Sequence, residues 1–279
     1  MLLQAKVIVL KTKNLKLKTY NLKLNALAGK NTYFISDLHL GAKYMADPLE
    51  RERRVCRFLD SIRDDAAELY LLGDILDYWY EYKYVVPRGY IRFLGKLAEL
   101  SDAGVKLTWV TGNHDVWLFD YLRDQLSMTV LNGHTIVETQ GKRILISHGD
   151  DVGVQPAMYR FTRWCFYNKV CQWLYASIHP RWTYPIATGW SSNNRTGRSS
   201  DKQHDIALNA ASRLVDFSRE YYARHPEVQA FVYGHIHIAR IDRPDNMPPV
   251  IFLGEWISAC SYLVLDTAGE FSLRYFEKQ

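Results

Sequence analysis

Short apolar runs recur along this chain, and five of them are followed at once by side chains that bind metals. These runs cover residues 32–35, 69–72, 107–110, 143–146 and 230–232. Apolar runs of this length between turn residues predict buried strands. Because active sites of open α/β sheets form beyond the carboxyl ends of the strands, we expect the polar residues that follow these runs to meet at one edge.

Apolar residues at helical spacing separate several of the predicted strands. Residues 50–63 and 90–100 show this spacing and are predicted as helices. Such alternation of strands and helices predicts a layered α/β fold. Near the end of the chain, a closing sheet is predicted from three more apolar segments: residues 250–253, 261–264 and 271–275.

The first 30 residues follow a different pattern. Lys, Asn and Thr alternate there with Leu, Val and Ile. A period of two predicts extra strands, and the alternative is a poorly ordered extension.

A long segment between the fourth and fifth of these apolar runs is rich in aromatic residues. Residues 151–198 interleave Tyr, Phe and Trp with Arg and Lys, and residues 191–200 are predicted as a polar loop. A helix is predicted at 205–224. We therefore divide the chain into three parts: an N-terminal extension at 1–30, a core at 31–150 and 205–279, and an aromatic, basic helical cap inserted at 151–204.

Length and composition narrow the number of domains, the kinds of partner and the cellular compartment of the protein. The 279 residues suffice for one large α/β domain with an inserted subdomain. A net charge of +5 is compatible with an anionic substrate or an anionic membrane surface. The four cysteines form no CxxC pair, which favours a reducing compartment. We expect a cytoplasmic protein, because no apolar stretch approaches the ~20 residues of a membrane span and the early lysines follow the apolar run rather than precede it.

The motifs themselves have metal-ligand spacing. Asp37 and His39 lie two residues apart, so an extended chain points both to one side, and His235 and His237 repeat this arrangement. Asp74 offers a carboxylate with two oxygens, which can bridge two cations. The sequence supplies a further amide oxygen and a further imidazole from two residues: Asn113 and His148.

Nitrogen and oxygen ligands without cysteine suit borderline-hard divalent cations. Seven ligands with one bridge give two four-ligand shells and leave positions open for water and substrate, as a catalytic site requires. Two cations about 3.5–4 Å apart stabilise both the attacking and the leaving oxygen in phosphoryl transfer. Each motif alone has an ordinary structural explanation, such as a turn or a helix cap. The occurrence of all five motifs in this order favours a metal site over these separate explanations.

The ordered motifs resemble the calcineurin-like metallophosphoesterases from residue 32 to the C-terminus. The motifs that carry this resemblance are Asp37-x-His39, Gly73-Asp74, Gly112-Asn113-His114-Asp115, His148 and Gly234-His235-x-His237. The resemblance implies a four-layer αββα sandwich of two mixed sheets, with a dinuclear centre of manganese, iron or zinc.

By this resemblance, each cation has four ligands. One would be held by Asp37, His39, Asp74 and His237, and the other by Asp74, Asn113, His148 and His235. His114 would serve as general acid or as a donor to developing charge, and Asp115 would orient it.

A second set of residues is similar to the UDP-2,3-diacylglucosamine hydrolases of lipid A biosynthesis. It comprises Ser147-His148-Gly149-Asp150-Asp151, Tyr159-x-x-x-Arg163, the aromatic insertion and Leu253-Gly254-x-Trp256. This similarity implies cleavage of the pyrophosphate of UDP-2,3-diacylglucosamine to UMP and 2,3-diacylglucosamine 1-phosphate. Substrate contacts are then expected at Tyr159, Arg163 and Trp256. The best-known members carry Arg after the Asn of the third motif, where this chain has His114.

Interleaved rings and cations in the insertion suit an amphiphile, because rings pack on acyl chains and cations meet phosphate or anionic lipid. We therefore expect a nucleotide-linked glycolipid substrate, peripheral association with the cytoplasmic face of the inner membrane, and no nucleic-acid partner. The insertion is also compatible with rings that form the core of a helical subdomain. Two other functions stay open: a metallophosphoesterase for another phosphomonoester or phosphodiester, and a non-catalytic scaffold of the same fold.

Overall fold

The structure is a computed structural model that describes residues 30–43, 45–153, 155–196 and 200–277. Within these ranges, residues 190–196 and 200–204 are described by their backbone alone. The strands predicted in the N-terminal extension lie outside the described residues.

Eleven strands form two mixed sheets in the described part of the chain. In chain order they are β1 (Asn31–Ile35), β2 (Ala66–Leu72), β3 (Lys106–Val110), β4 (Thr129–Leu131), β5 (Thr135–Thr139), β6 (Lys142–Ser147), β7 (Ala230–Tyr233), β8 (Ala239–Asp242), β9 (Val250–Leu253), β10 (Ser261–Leu265) and β11 (Phe271–Tyr275). The first sheet has the order β11-β10-β1-β2-β3-β4, and the second has the order β5-β6-β7-β9-β8.

The strands that carry the motifs are parallel within each sheet. β1, β2 and β3 run parallel in the first sheet, as do β6 and β7 in the second. The prediction of a single closing sheet is wrong, because β9 joins the second sheet whereas β10 and β11 extend the first. An apolar run does not specify its partner, so the sequence pattern alone cannot assign a strand to one of two stacked sheets.

Seven helices complete the described fold. They are α1 (Pro48–Ile62), α2 (Ile91–Asp102), α3 (Tyr121–Leu126), α4 (Ala157–Tyr167), α5 (Lys169–Ala176), α6 (Pro180–Thr196) and α7 (Ser200–Arg224). Two helix starts are capped by side chains: Asp47 accepts from the Glu50 amide at 3.0 Å, and Asn168 accepts from the Val170 amide at 2.9 Å.

Three buried clusters separate four layers. Phe58 of α1 and Phe93 of α2 pack against the outer face of the first sheet. Phe34 and Ile146 belong to the cluster between the two sheets. Leu214 of α7 packs against the outer face of the second sheet. Because both faces of the central strands are covered, these strands are apolar along their whole length. The predicted αββα sandwich is confirmed.

The cap comprises α4, α5 and α6. The predicted polar loop is wrong over residues 191–196, because α6 continues to Thr196. Ser and Asn lower helix propensity by well under about 1 kcal/mol per residue, so the remainder of a helix readily overrides them. Helix α7 begins at Ser200, so the predicted boundary between residues 204 and 205 falls inside it. The division into three parts otherwise stays a prediction.

An aromatic cluster joins the cap to the core. Its core side comes from the loops that follow β2 and β3, and its cap side from α4 to α6. The Tyr80 hydroxyl donates to the Gln172 carbonyl at 2.7 Å, and the Trp117 indole N–H donates to the Phe166 carbonyl at 3.0 Å. Part of the aromatic insertion is therefore the core of a helical subdomain. The same two loops also carry predicted metal ligands, so the cap is attached next to the predicted site.

Other large apolar side chains of the cap point outward. Those that form what we call the exposed cap face are Met158, Phe161, Trp173, Leu174, Ile178, Trp182 and Ile186. No helix within the described ranges is long and apolar enough to cross a bilayer.

Candidate metal centre

All seven predicted ligands lie at one end of the two sheets. The loops after β1, β2 and β3 reach this end from the first sheet, and the loops after β6 and β7 reach it from the second. Parallel strands within each sheet place their carboxyl ends together, which explains why residues far apart in sequence meet here.

One group of ligand atoms is formed by Asp37, His39 and His237, all within 4.8 Å of one another. The Asp37 Oδ1 atom lies 3.2 Å from His237 Nε2 and 3.7 Å from His39 Nε2. This oxygen is buried and has no hydrogen-bond partner among the described residues. A buried carboxylate oxygen without a partner is costly, and a cation among these three side chains removes that cost.

A second group is formed by Asp74, His148 and His235. His148 Nε2 lies 3.4 Å from Asp74 Oδ2 and 3.2 Å from His235 Nδ1. The other nitrogen of His148, Nδ1, lies 2.9 Å from the Leu72 carbonyl, which only accepts hydrogen bonds. Nδ1 therefore carries a hydrogen and Nε2 is the atom available to a metal. The Asn113 Oδ1 atom is buried without a hydrogen-bond partner in the described part of the chain.

Asp74 lies between the two groups. Its Oδ2 atom is 3.7 Å from His39 Nε2 and 3.4 Å from His148 Nε2. Its other oxygen, Oδ1, accepts a hydrogen bond from the His114 amide at 2.9 Å. One oxygen thus faces both groups, whereas the sequence led us to expect that the two oxygens would face one group each.

The backbone of this site is strained. The φ angles of Asp37, His39, Asp74, His235 and His237 are all positive, between 44° and 68°. Such left-handed conformations cost non-glycine residues about 1–3 kcal/mol each and persist where the surrounding structure fixes them. Five of the seven predicted ligands share this feature, which marks the loops as a constrained site rather than as ordinary turns.

Two motif glycines are required by close contacts. A Cβ atom on Gly112 would collide with Asp74 Oδ1, and one on Gly73 would collide with the ring of His148. The Gly-Asp and Gly-Asn pairs in the sequence therefore reflect the space that the ligands occupy.

Charge is distributed among the groups in a pattern suited to cations. Burial alone would raise the pKa of Asp37 and Asp74, but the facing histidines hold both pKa values well below the ordinary range. Burial would lower the pKa of His148, but the charge of Asp74 raises it well above its ordinary value. Burial, and then the neighbouring His148 charge, lower the pKa of His235 to about 3. A bound cation would take the place of the proton on His148, so metal binding is coupled to proton release.

His114 lies at the edge of these groups with its side chain 15% exposed. Its Nε2 atom is 3.8 Å from Asp74 Oδ2. Its Nδ1 atom is 3.1 Å from the Asp77 carbonyl oxygen and 3.5 Å from Asp77 Oδ1. Asp77 Oδ1 also lies 3.5 Å from Nδ1 of His39. The sequence interpretation missed Asp77, although it stands only three positions after Asp74 and follows the same strand.

The prediction that Asp115 orients His114 is wrong. The Asp115 carboxylate is fully buried and accepts hydrogen bonds from the Gly112 amide at 2.7 Å, the Ile75 amide at 2.8 Å and the Trp109 indole N–H at 3.2 Å. Burial, and then the charge of Asp74, raise the pKa of Asp115 to about 6. Asp115 therefore ties the Gly-Asp loop to the Gly-Asn loop, and Asp77 occupies the position beside His114.

The predicted substrate contacts divide into two kinds. Tyr159 and Arg163 of α4 both donate to Oδ2 of buried Asp150, and they line a pocket that opens beside Asn113. Trp256 instead packs in the core against Phe58 at a ring distance of 4.9 Å.

The Trp256 indole N–H donates to the Ser261 carbonyl at 2.8 Å, and the Trp256 backbone amide donates to the Asp37 carbonyl at 3.1 Å. The prediction of a substrate contact by the Trp256 side chain is therefore wrong. A sequence motif does not separate a ring that touches substrate from one that supports a ligand loop.

Known proteins resemble this chain over most of its length. Residues 30–239 match the family model of the calcineurin-like phosphoesterases. The UDP-2,3-diacylglucosamine hydrolase of Porphyromonas gingivalis is 42% identical over 250 residues, which cover 84% of this chain and 93% of that protein. The protein of the same name from Neisseria meningitidis is 28% identical over 239 residues, covering 81% of this chain and 90% of that protein. Another from a Shewanella species is 27% identical over 240 residues, covering 85% and 95%.

Proposed function

Because this chain belongs to the calcineurin-like phosphoesterase family and is a metal-dependent hydrolase, we propose that it cleaves UDP-2,3-diacylglucosamine. The products are UMP and 2,3-diacylglucosamine 1-phosphate. The observation that carries this proposal is the 42% identity to a hydrolase of that name over 93% of its length. The similarity extends over core and cap together, so it includes the segment from which a lipid substrate would be recognised.

We propose that two divalent cations, manganese foremost, occupy the site. Asp37, His39, Asp74 and His237 would hold one, and Asp74, Asn113, His148 and His235 the other. Two buried oxygens without hydrogen-bond partners among the described residues, Asp37 Oδ1 and Asn113 Oδ1, support this assignment. Divalent cations at such a site supply Lewis-acid stabilisation of phosphate charge and lower the pKa of water.

His114 is proposed to move a proton or to stabilise charge on the phosphate. The Asp77 carbonyl accepts from its Nδ1, so that atom keeps its hydrogen. Its Nε2 is then the atom that gains and gives a proton. A side chain that is mostly buried but still partly exposed is suited to meet a phosphate that enters from solvent.

Tyr159 and Arg163 are proposed to position the substrate. They line the pocket beside Asn113 and are fixed by Asp150, so an anionic group placed there would meet a cation close to the proposed metals. Fixing these side chains before binding reduces the entropy lost when substrate binds.

We also propose that the exposed cap face rests on an anionic bilayer. Met158, Trp173 and Ile186 are 73%, 68% and 71% exposed, and the exposed cation Arg181 directly precedes Trp182 of the same face in sequence. Apolar side chains on a cationic surface are typical of interfacial helices. In a vesicle sedimentation assay with phosphatidylglycerol, Trp173→Ser is expected to weaken binding at least fivefold, whereas Ile91→Ser on α2 serves as the exposed control. Equal binding by both variants would refute this surface.

The activity itself is tested by incubating purified protein and Mn²⁺ with UDP-2,3-diacylglucosamine and measuring UMP by chromatography. We expect UMP from the natural chain and almost none from Asp74→Ala. A preference for a water-soluble phosphodiester by several orders of magnitude would replace this function with another phosphoesterase activity. Failure of metal-free protein to take up Mn²⁺ or Zn²⁺ would instead favour a non-catalytic scaffold.

A further inference from the structure

A second concavity lies on the cap, beside the pocket that opens at Asn113. This cap groove is shallow and widely open to solvent, with a volume of about 690 Å³. The side chains that matter for its chemistry are Arg160, Arg163, Trp164, Tyr167 and Lys169. Arg163 and Tyr167 line both the cap groove and the pocket beside Asn113, so the two spaces adjoin at these side chains.

The lining of the cap groove is cationic. Three of its side chains are basic, and no carboxylate among the described side chains lines it. Arg163 is paired with Asp150, but the ion pairs found within the described ranges include neither Arg160 nor Lys169. Two exposed cations without a carboxylate partner there leave a positive surface that attracts anions and carbonyl oxygens.

Aromatic rings border the same groove. Trp164 is 58% exposed although it is the largest side chain there, and Phe161 covers only part of it with a centroid distance of 6.0 Å and a plane angle of 21°. The Tyr167 ring lies 4.8 Å from the Arg163 guanidinium. Rings beside cations form a stacking surface for a planar base that also carries phosphate.

We propose that the cap groove binds the uridine 5′-monophosphate part of the substrate. The uracil ring stacks on Trp164 and Tyr167, and its carbonyl oxygens accept hydrogen bonds from Arg160 and Lys169. Arg163 binds the phosphate on the side of the metal centre. This inference rests on the proposed function and deepens it by assigning the nucleotide a place on the cap.

Binding of free UMP tests the assignment without any hydrolysis. Calorimetry compares UMP with ribose 5-phosphate, which lacks the base, on the full chain with and without Mn²⁺. We expect UMP to bind at least tenfold more tightly than ribose 5-phosphate. Trp164→Ala is expected to abolish that difference, Trp164→Phe to retain most of it, and Lys169→Ala to weaken UMP binding at least fivefold.

Matched controls come from an exposed cation and ring elsewhere on the surface. Lys83 lies 5.1 Å above the ring of Tyr84, so Lys83→Ala and Tyr84→Ala repeat the chemical changes outside the groove and should leave UMP binding unchanged. Circular dichroism verifies that each variant is folded. Absence of UMP binding by the natural chain, or full preference for UMP in Trp164→Ala, would overturn the proposal.

Two further outcomes separate this inference from the proposed activity. If Trp164-dependent UMP binding is found but UDP-2,3-diacylglucosamine is not cleaved, the groove stands and the substrate assignment fails. If cleavage occurs and Trp164→Ala changes neither KM nor UMP inhibition, the groove assignment fails alone. Loss of vesicle binding with unchanged UMP affinity in Trp164→Ala would assign this ring to the exposed cap face and contradict the proposal.

Discussion

Replacing Asp115 by Ala removes the acceptor that joins the two central ligand loops. The carboxylate receives the Gly112 and Ile75 amides and the Trp109 indole N–H, all in a fully buried environment. Each buried donor left without a partner costs about 1–3 kcal/mol, so three donors cost about 3–9 kcal/mol. The raised pKa of Asp115 shows that burying its charge is itself unfavourable. We therefore expect a loss from the lower half of that range, about 3–6 kcal/mol.

Urea unfolding followed by tryptophan fluorescence measures this loss. Asp124→Ala is the matched control, because its carboxylate is 62% exposed and such surface changes stay within about 0.5 kcal/mol. Uptake of Mn²⁺, measured by inductively coupled plasma mass spectrometry, should fall in Asp115→Ala, since Asp74 and Asn113 lose their common support. A variant that unfolds like the natural chain and binds metal fully, yet turns over slowly, would refute this reasoning. That result would restore the interpretation in which Asp115 acts on His114.

Four further substitutions probe other parts of the protein. Asp74→Ala should remove nearly all activity and weaken both metal sites, and unchanged metal content would contradict its bridging position. His114→Ala should lower kcat with metals retained, and Asp77→Ala should lower kcat and shift the pH profile; an effect on KM alone would refute both. His134 donates to Asp151 at 2.9 Å, which raises the pKa of His134. Its contribution is therefore complete below the ordinary pKa of about 6.5 and lost as pH rises through the folded value. His134→Gln should accordingly lower Tm by about 1–3 °C at pH 5.5 and by less at pH 9. A Tm difference that is the same at both pH values would contradict this prediction.

The sequence pattern predicted the elements that carry the site because that signal is local. A run of apolar residues followed by Asp or His is visible along a single strand, and each of the five runs forms a strand in the structure. The loops that follow these strands then lie together, because β1 to β3 run parallel to one another, as do β6 and β7.

Side-chain direction is not local, and this is where the predictions failed. Asp115 follows His114 in sequence, yet its carboxylate turns toward the amides of another loop. Asp77 reaches the His114 ring from that other loop. Trp256 also turns into the core, although its amide supports Asp37. Which of two nearby carboxylates faces an imidazole depends on loop packing, and the spacing of the motifs does not encode it.

The exposed rings of the cap show a similar limit. Composition indicated that the insertion is amphipathic. It did not distinguish the cap rings that are buried against Tyr80 from the rings that remain exposed, such as Trp173. Only the packing of α4 and α5 on the loops after β2 and β3 makes that division.

The most direct test of the account is a titration of metal-free protein with Mn²⁺ in the presence of UDP-2,3-diacylglucosamine. Bound metal per chain and the rate of UMP release are measured on the same samples. We predict that UMP release rises with added metal and reaches its plateau at two bound ions per chain. A plateau at one ion per chain, or no UMP from chains that hold two, would contradict the proposed two-metal hydrolase.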